Sequence, residues 1–210
     1  MAMRVLAIET ASEACSIALF DGETLLARDH RVLGRGHAEH LIPMIAELPD
    51  KGRADRILVS LGPGSFTGVR VGLAAARALG FAWASPVLGY RTLQLVQLGV
   101  DLPEPQPLTV CMNGGHGEWF VQNFAADGTA ENSERSLAPD QVRAEGTHGL
   151  IVGNRAKECA DLFEDERIAI EALPDAGNSL RLAESHLSED LSPIYGRAPD
   201  ATPQKAVQTS

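Results

Sequence analysis

The chain has 210 residues, of which 44% are hydrophobic, and its formal net charge at pH 7 is −10. It is long enough to bury a core in one large domain or two smaller lobes, and it lacks the run of about 18 apolar residues that a membrane-spanning helix needs. Lysine and arginine are nowhere concentrated and residues 101–210 hold most of the acidic excess, so unaided RNA binding is not expected. Glu9 interrupts the N-terminal apolar stretch before a signal peptide could form, which predicts a cytoplasmic protein.

The first hundred residues predict strands followed by helices. Short apolar runs predict strands at 4–8, 14–20, 24–32, 57–61 and 86–89. Apolar residues at helical spacing predict helices at 34–48, 69–84 and 90–98. Asp21 and Gly22 predict a tight turn between the second and third strands, and Pro43 predicts a bend or a tight early turn in the first helix. We interpret residues 1–100 as an N-terminal lobe.

The second half repeats this order of elements after a proline-rich linker at residues 101–107. Strands are predicted at 108–112, 118–124, 150–152 and 168–170, and helices at 155–163 and 178–186. The final stretch has several prolines and no apolar periodicity, which predicts an extended tail. Residues 101–210 are therefore predicted to form a C-terminal lobe, and the fold class is two-lobed α/β with mixed sheets flanked by helices.

The three cysteines, Cys15, Cys111 and Cys159, predict neither a disulfide framework nor a zinc site. They are odd in number, far apart in the sequence, and none belongs to a C-x-x-C pair. Ordinary buried thiols are the expected role.

The stretch LGPGSFTGVRVGLAAARALG, residues 61–80, resembles phosphate-binding loops without matching either named pattern. A P-loop counted from Gly62 needs Gly-Lys where the chain has Thr67 and Gly68. The pattern G-x-G-x-x-G, which Gly62 and Gly64 could begin, needs its third glycine at Thr67. Such glycines can take a positive φ or admit a close neighbour. The loop could therefore present N–H groups to an anion at a helix N-terminus, or let another chain approach closely.

Small residues line one side of the helix that follows this loop. The stripe consists of Gly68, Gly72, Ala76 and Gly80. Glycine inside a helix costs about 0.5 to 1 kcal/mol relative to alanine, which predicts that a close backbone contact compensates. The neighbour could be the chain's own sheet or a helix of a partner, and we predict that a partner occupies the stripe. Apolar residues of the preceding helix would add a second surface to an interface between chains, namely Leu41, Ile45 and Leu48.

Glu9 and Thr10 end the first predicted strand, where the nucleotide-phosphate turn lies in the actin and sugar-kinase architecture. Such a turn usually holds an aspartate close to the waters of Mg²⁺, and Glu9 is one methylene longer. The pair indicates either a weak nucleotide site that includes Gly62 and Gly64, or side chains that satisfy backbone groups of the turn.

His37 and His40 lie three residues apart on a predicted helix and could face a metal together. A zincin helix needs histidines four apart with glutamate directly after the first, and no third ligand is visible in the sequence. Exposed histidines near a helix start are the alternative, and we predict no metal site. No nucleophile elbow or other catalytic constellation is found either.

The chain resembles the TsaB (YeaZ) family in four stretches, IETASEACSIALFDG, HAEHLIPMI, GPGSFTGVRVGLAAARALG and PIYGRAPDATP. The resemblance spans nearly the whole chain and implies the actin/Hsp70/sugar-kinase-like (RNase H-like) fold. Where the family usually has aspartate on the first strand this chain has Glu9. The family's D-A-R-R-G-E-V-Y is NGGHGEWF here, in which Gly117 and Glu118 match.

The resemblance also implies a function. Members are non-catalytic scaffold and activator subunits that act with TsaD, which transfers threonylcarbamoyl to the adenosine beside the anticodon of certain tRNAs. It implies that helices of the N-terminal lobe bind TsaD, that TsaE joins the wider complex, that a homodimer can form, and that tRNA is reached only through the complex. No cofactor is expected beyond weak binding of ATP or ADP.

Two other classes of function stay open at this point. An ATP-dependent small-molecule kinase of the same fold would need a second phosphate motif and an acidic base, and neither is found with the required glycine spacing. A metallopeptidase would rest on His37 and His40 alone.

Overall fold

The computed structural model describes residues 2–196, which form two five-stranded mixed sheets. The first sheet has the order β3-β2-β1-β4-β5. Its strands are β1 (Arg4–Glu9), β2 (Ala14–Asp21), β3 (Thr24–Val32), β4 (Arg56–Ser60) and β5 (Val87–Tyr90). The first three strands are antiparallel, and β4 and β5 run parallel to β1. All five strands lie within two residues of their predicted limits, and Gly22 in the predicted turn has φ 59°.

Helices cover both faces of the first sheet. Helices α1 (His37–Glu47) and α2 (Phe66–Trp83) pack on one face. The other face packs against α3 (Thr92–Leu98) and against the 3₁₀ helices Ala176–Arg181 and Glu184–His186 with the segment around them. A further 3₁₀ helix, Pro49–Gly52, follows α1. Both faces are therefore buried at the central strands β1, β2 and β4, which explains their mostly apolar residues, whereas the edge strand β3 is largely exposed.

The second sheet has the order β10-β9-β6-β7-β8. Its strands are β6 (Leu108–Gly115), β7 (Glu118–Phe124), β8 (Arg135–Leu137), β9 (Leu150–Val152) and β10 (Ile168–Ile170). Two short helices accompany it, α4 (Pro139–Glu145) and α5 (Ala156–Ala160). The turn between β6 and β7 is tighter than the predicted five-residue loop, because His116 and Gly117 both have positive φ, 53° and 82°.

Four elements differ from the prediction. Helix α2 begins at Phe66 rather than residue 69, because Ser65 caps it through a bond that its side chain accepts from the Gly68 N–H. Residues 178–186 form parts of two 3₁₀ helices rather than one α-helix. Strand β8 and helix α4 were not predicted at all.

Residues 175–194 leave the second sheet and return to the first lobe. Asp175 accepts hydrogen bonds from Arg28 of β3 and Ser16 of β2. Ser188 pairs with Gly89 of β5 as an antiparallel bridge, and the Ile194 N–H donates to the Leu61 carbonyl at 2.7 Å. The predicted C-terminal lobe therefore includes a segment that packs on the first sheet. The remainder of the predicted tail, residues 197–210, lies outside the described residues.

None of the helices between residues 2 and 196 combines the length and the apolar character that crossing a membrane requires.

Candidate functional site

The glycine loop, residues 61–65, packs directly on the turn that follows β1. The Ser65 N–H donates to the Ala11 carbonyl at 2.7 Å. A Cβ added to Gly64 would lie 2.1 Å from that carbonyl oxygen, and one added to Gly62 would lie 2.7 Å from the Ile194 carbonyl oxygen. The glycines are therefore needed because backbone of the same chain approaches the loop from two sides.

The first turn of α2 is attached to the end of β1 in the same way. The Thr10 hydroxyl donates to the Gly68 carbonyl at 2.8 Å. A Cβ added to Gly68 would lie 2.1 Å from the Thr10 carbonyl oxygen, and one added to Gly72 would lie 2.4 Å from Thr10 Oγ1. Two successive turns of the helix thus contact a single residue, Thr10, which directly follows β1.

The stripe of small residues continues along the inner side of α2. Ala76 is fully buried, and a Cβ added to Gly80 would lie 2.5 Å from a methyl carbon of Val87 in β5. The prediction that Gly68, Gly72, Ala76 and Gly80 face a partner chain is therefore wrong, because the first sheet of the same chain occupies that side. Their spacing correctly indicated a close neighbour, and of the two alternatives the neighbour is the chain's own sheet.

The apolar residues of α1 are also in the core. Leu41, Ile45 and Leu48 are 1%, 3% and 7% exposed, and they pack with the inner side of α2 and the first sheet. The prediction that these three residues contact a partner is therefore also wrong, because they pack inside this chain. Helical periodicity identifies which side of a helix is buried, but it does not identify what covers that side.

Replacing Ala76 with leucine is expected to destabilise the fold itself. The added atoms would enter a filled core, where overpacking typically costs about 1 to 3 kcal/mol, so the melting temperature should fall by several degrees. Ala78→Leu, on the exposed side of the same helix, is the matched control and should change the free energy of unfolding by less than about 0.5 kcal/mol. Equal melting temperatures for the two variants would contradict this placement of the stripe.

Glu9 is completely buried at the end of β1. Its Oε1 accepts a hydrogen bond from the Ala11 N–H at 2.7 Å, while Oε2 has no hydrogen-bond partner among residues 2–196. Burial raises the pKa of the Glu9 carboxyl from 4.5 to about 7, and the bond from Ala11 opposes that rise. This carboxyl does not face an open cleft.

The other residues of the predicted nucleotide site are covered as well. Thr10 is 1% exposed, and Gly62 and Gly64 contact the chain's own backbone. Beside them, the hydroxyls of Ser60 and Thr92 bond to each other at 2.6 Å, and the Gly62 N–H donates to Ser60 Oγ at 3.1 Å. A nucleotide would find Glu9 and Thr10 buried, and weak nucleotide binding stays a prediction.

The turn between β1 and β2 is tied to the second lobe by a carboxylate. Asn154 Nδ2 donates to both carboxylate oxygens of Glu13, at 2.7 and 2.9 Å, and Asn154 Oδ1 accepts from the Asn113 N–H at 2.8 Å. The side chain of Glu13 therefore brings negative charge to the turn where the fold analogy had suggested a phosphate.

The two histidines of α1 point in different directions. His37 is 8% exposed and its Nε2 lies 3.2 Å from the Ala14 carbonyl oxygen, whereas His40 is exposed. Neither belongs to a group of three or more potential metal ligands among the described residues. His37 is thus a buried residue that joins α1 to β2.

The outer face of α2 carries the features that sequence reasoning missed. Phe66 and Phe81 are 52% and 92% exposed, and Arg70 and Arg77 lie on the same side of the helix. Ile42 of the neighbouring α1 is half-exposed. Large exposed apolar side chains on one side of a helix are typical of protein interaction surfaces. Their spacings of four, seven and four residues could have revealed this side of the helix beforehand.

Similar proteins were found by sequence and by structure. The tRNA threonylcarbamoyladenosine biosynthesis protein TsaB of Escherichia coli (strain K12) is 37% identical over 208 residues, which cover 91% of this chain and 85% of that protein. The TsaB protein of Haemophilus influenzae is 26% identical, covering 93% of this chain and 94% of that protein. The structure of YeaZ from Pseudomonas aeruginosa superposes with a TM-score of 0.76 at 25% identity and covers 93% of this chain and 100% of that one.

A family model described as TsaD: tRNA N6-adenosine threonylcarbamoyltransferase matches residues 31–158. That description names a transferase, whereas the relatives that align along nearly the whole chain are TsaB proteins. Together with the two mixed sheets, these similarities confirm the two-lobed actin-like (RNase H-like) fold. The chain belongs to the TsaB family.

Proposed function

We propose that this chain is a non-catalytic subunit in the biosynthesis of threonylcarbamoyladenosine in tRNA, and that it acts by binding a TsaD-family protein. The observation that carries the proposal is the 37% identity to TsaB of Escherichia coli over 91% of the chain. A role in tRNA modification together with TsaD follows from that family membership. TsaE would join the wider complex.

The outer face of α2 is the surface that we assign to the partner. It presents two exposed phenylalanines and two arginines, while the inner side of the helix is fully used by the first sheet. Interfaces are enriched in aromatic residues and arginine, which carry much of the binding energy. The family resemblance implied helices of this lobe as the partner site, and the contacts within the chain leave the outer side for it.

The buried acid supports a non-catalytic role. Glu9 is completely buried, and Glu13 is held by Asn154 of the second lobe. An approaching phosphate would therefore meet a carboxylate rather than a set of open N–H groups. A kinase and a metallopeptidase are not favoured, because the first needs an open phosphate site and the second rests on histidines that diverge.

Transfer RNA would be bound by the complex rather than by this chain alone. A formal net charge of −10 repels the phosphate backbone, and the acidic excess is largest in the second half of the sequence. The partner would supply the basic surface.

Binding to the TsaD-family protein of the same organism tests the proposal. The full chain should co-purify with that protein, and Phe81→Asp should weaken the affinity about thirtyfold, because it replaces an exposed aromatic ring of the assigned surface with a charge. Isothermal titration calorimetry gives the dissociation constants. The melting temperature should hold, since Phe81 is 92% exposed.

Ile168→Asp is the matched control for this variant. Ile168 is 60% exposed on β10, far along the chain from α2, and its replacement should leave the affinity unchanged. Failure of the unchanged chain to bind the TsaD-family protein would overturn the proposed function. Loss of binding in Ile168→Asp with full binding in Phe81→Asp would overturn the assignment of the surface.

A further inference from the structure

An aromatic and cationic cluster lies at the N-terminal end of the outer face of α2. The guanidinium carbon of Arg70 lies 3.6 Å from the ring centroid of Phe66 and 5.6 Å from that of Tyr195. The two rings are 5.1 Å apart between centroids, and Arg70 Nε donates to the Tyr195 hydroxyl at 3.0 Å. Each of the three side chains thus contacts the other two. We call this group the Arg70 cluster.

The position of Tyr195 is fixed by backbone bonds at both sides of it. The Ile194 N–H donates to the Leu61 carbonyl at 2.7 Å, and the Gly196 carbonyl accepts from the Ser136 N–H of β8 at 3.2 Å. Farther along α2, Arg77 Nη2 donates to the Leu191 carbonyl at 3.1 Å. The segment therefore runs beside the helix, and Tyr195 is brought to Arg70 by the fold rather than by a local contact.

The charge of α2 is opposite to that of the chain as a whole. The helix carries Arg70 and Arg77 and no acidic residue, although the formal net charge of the chain is −10. Between residues 2 and 196, no carboxylate forms a salt bridge with Arg70, and of its guanidinium nitrogens only Nε has a hydrogen-bond partner. The residue is exposed at its position on the helix. Its terminal N–H groups can therefore serve a second molecule.

We propose that the Arg70 cluster is the polar anchor of the partner surface and binds a carboxylate side chain of the TsaD-family protein, an inference that rests on the proposed function. Arginine presents its N–H groups in a planar fork that matches a carboxylate through two parallel hydrogen bonds. Because Phe66 and Tyr195 already hold the guanidinium, little side-chain freedom is lost when the carboxylate binds. Tyr195 acts as a positioning residue and contacts the partner only through Arg70.

The test compares variants of the full chain for binding to the TsaD-family protein by calorimetry at low and high salt. Arg70→Gln is expected to weaken binding about thirtyfold at low salt and to remove most of the salt dependence, because the ion pair is lost. Arg70→Lys keeps the charge but not the fork, so it should weaken binding about fivefold and retain the salt dependence. Tyr195→Phe removes only the hydroxyl that accepts from Arg70 and should weaken binding about threefold.

Arg143→Gln is the matched control, since Arg143 is an exposed arginine on α4 of the second lobe. It should leave both the affinity and its salt dependence unchanged. Equal binding by Arg70→Gln and the unchanged chain, alongside weakened binding by Phe81→Asp, would overturn the anchor and keep the proposed function. If Arg70→Gln altered only self-association of this chain, the occupant would be a second copy and the anchor for the partner would be refuted. No binding by the unchanged chain would overturn both.

Discussion

Replacing Gly68 with alanine is expected to lower the free energy of unfolding by more than about 3 kcal/mol, although alanine is the better helix former. The new Cβ would lie 2.1 Å from the Thr10 carbonyl oxygen, which is part of the backbone and cannot turn aside as a side chain can. Helix α2 would have to move away from β1 and would lose the bond from the Thr10 hydroxyl to the Gly68 carbonyl. Chemical denaturation monitored by circular dichroism gives the difference.

Gly149→Ala is the control for this substitution. A Cβ added at Gly149 would have no atom within 4 Å, and the residue is exposed. Alanine there should change the free energy of unfolding by at most about 1 kcal/mol, in the stabilising direction, because it restricts the unfolded chain. If Gly68→Ala were as stable as Gly149→Ala, the close contact between α2 and β1 would not exist in solution.

Glu9→Gln is expected to remove a pH dependence of stability worth about 3 kcal/mol. The pKa of the Glu9 carboxyl is raised by burial from 4.5 to about 7, so the folded chain binds a proton that the unfolded chain has already released. The stabilisation due to this proton is complete below pH 4.5 and is lost as the pH rises through 7. Glutamine is neutral at every pH, so the Glu9→Gln variant shows no such loss of stability.

The measurement is the free energy of unfolding of both chains between about pH 4 and about pH 9. Relative to the variant, the unchanged chain should lose stability between pH 4.5 and about 7 and show a constant difference above that. Glu104→Gln, which removes an exposed carboxylate in the proline-rich segment, should follow the unchanged chain. Parallel curves for Glu9→Gln and the unchanged chain would mean that the pKa of Glu9 is the same in the folded and the unfolded chain, and would contradict the prediction.

Most of the fold could be predicted because its strands are contiguous apolar runs with clear ends. The exceptions have tertiary causes. Strand β8 has three residues and exists because Trp119, Phe120 and Val121 pair with it. Helix α4 buries only Val142, so no apolar periodicity indicates it. The predicted helix at 178–186 has no continuous buried side, because only separate residues of this segment are buried against the first sheet.

The partner surface could be predicted only in part. The stripe from Gly68 to Gly80 correctly indicated a close contact, but the local pattern is the same whether the neighbour belongs to this chain or to another. Phe66 and Arg70 lie on one side of a helix by spacing alone, whereas Tyr195 joins them across 125 positions of sequence. No local signal connects residues so far apart.

The return of residues 175–194 to the first sheet has a consequence for the order in which the protein can fold during synthesis. Val5, Ala18 and Phe20 of the first sheet are covered partly by Ala176 and Leu182. An emerging N-terminal half would therefore expose an apolar sheet face to the ribosome and to chaperones until about the last tenth of the described chain was being translated. The N-terminal lobe is synthesised first, but its core is completed only by residues 175–194. The same segment places Tyr195 at the outer face of α2. Only a chain translated to its end would thus present the whole surface to a partner.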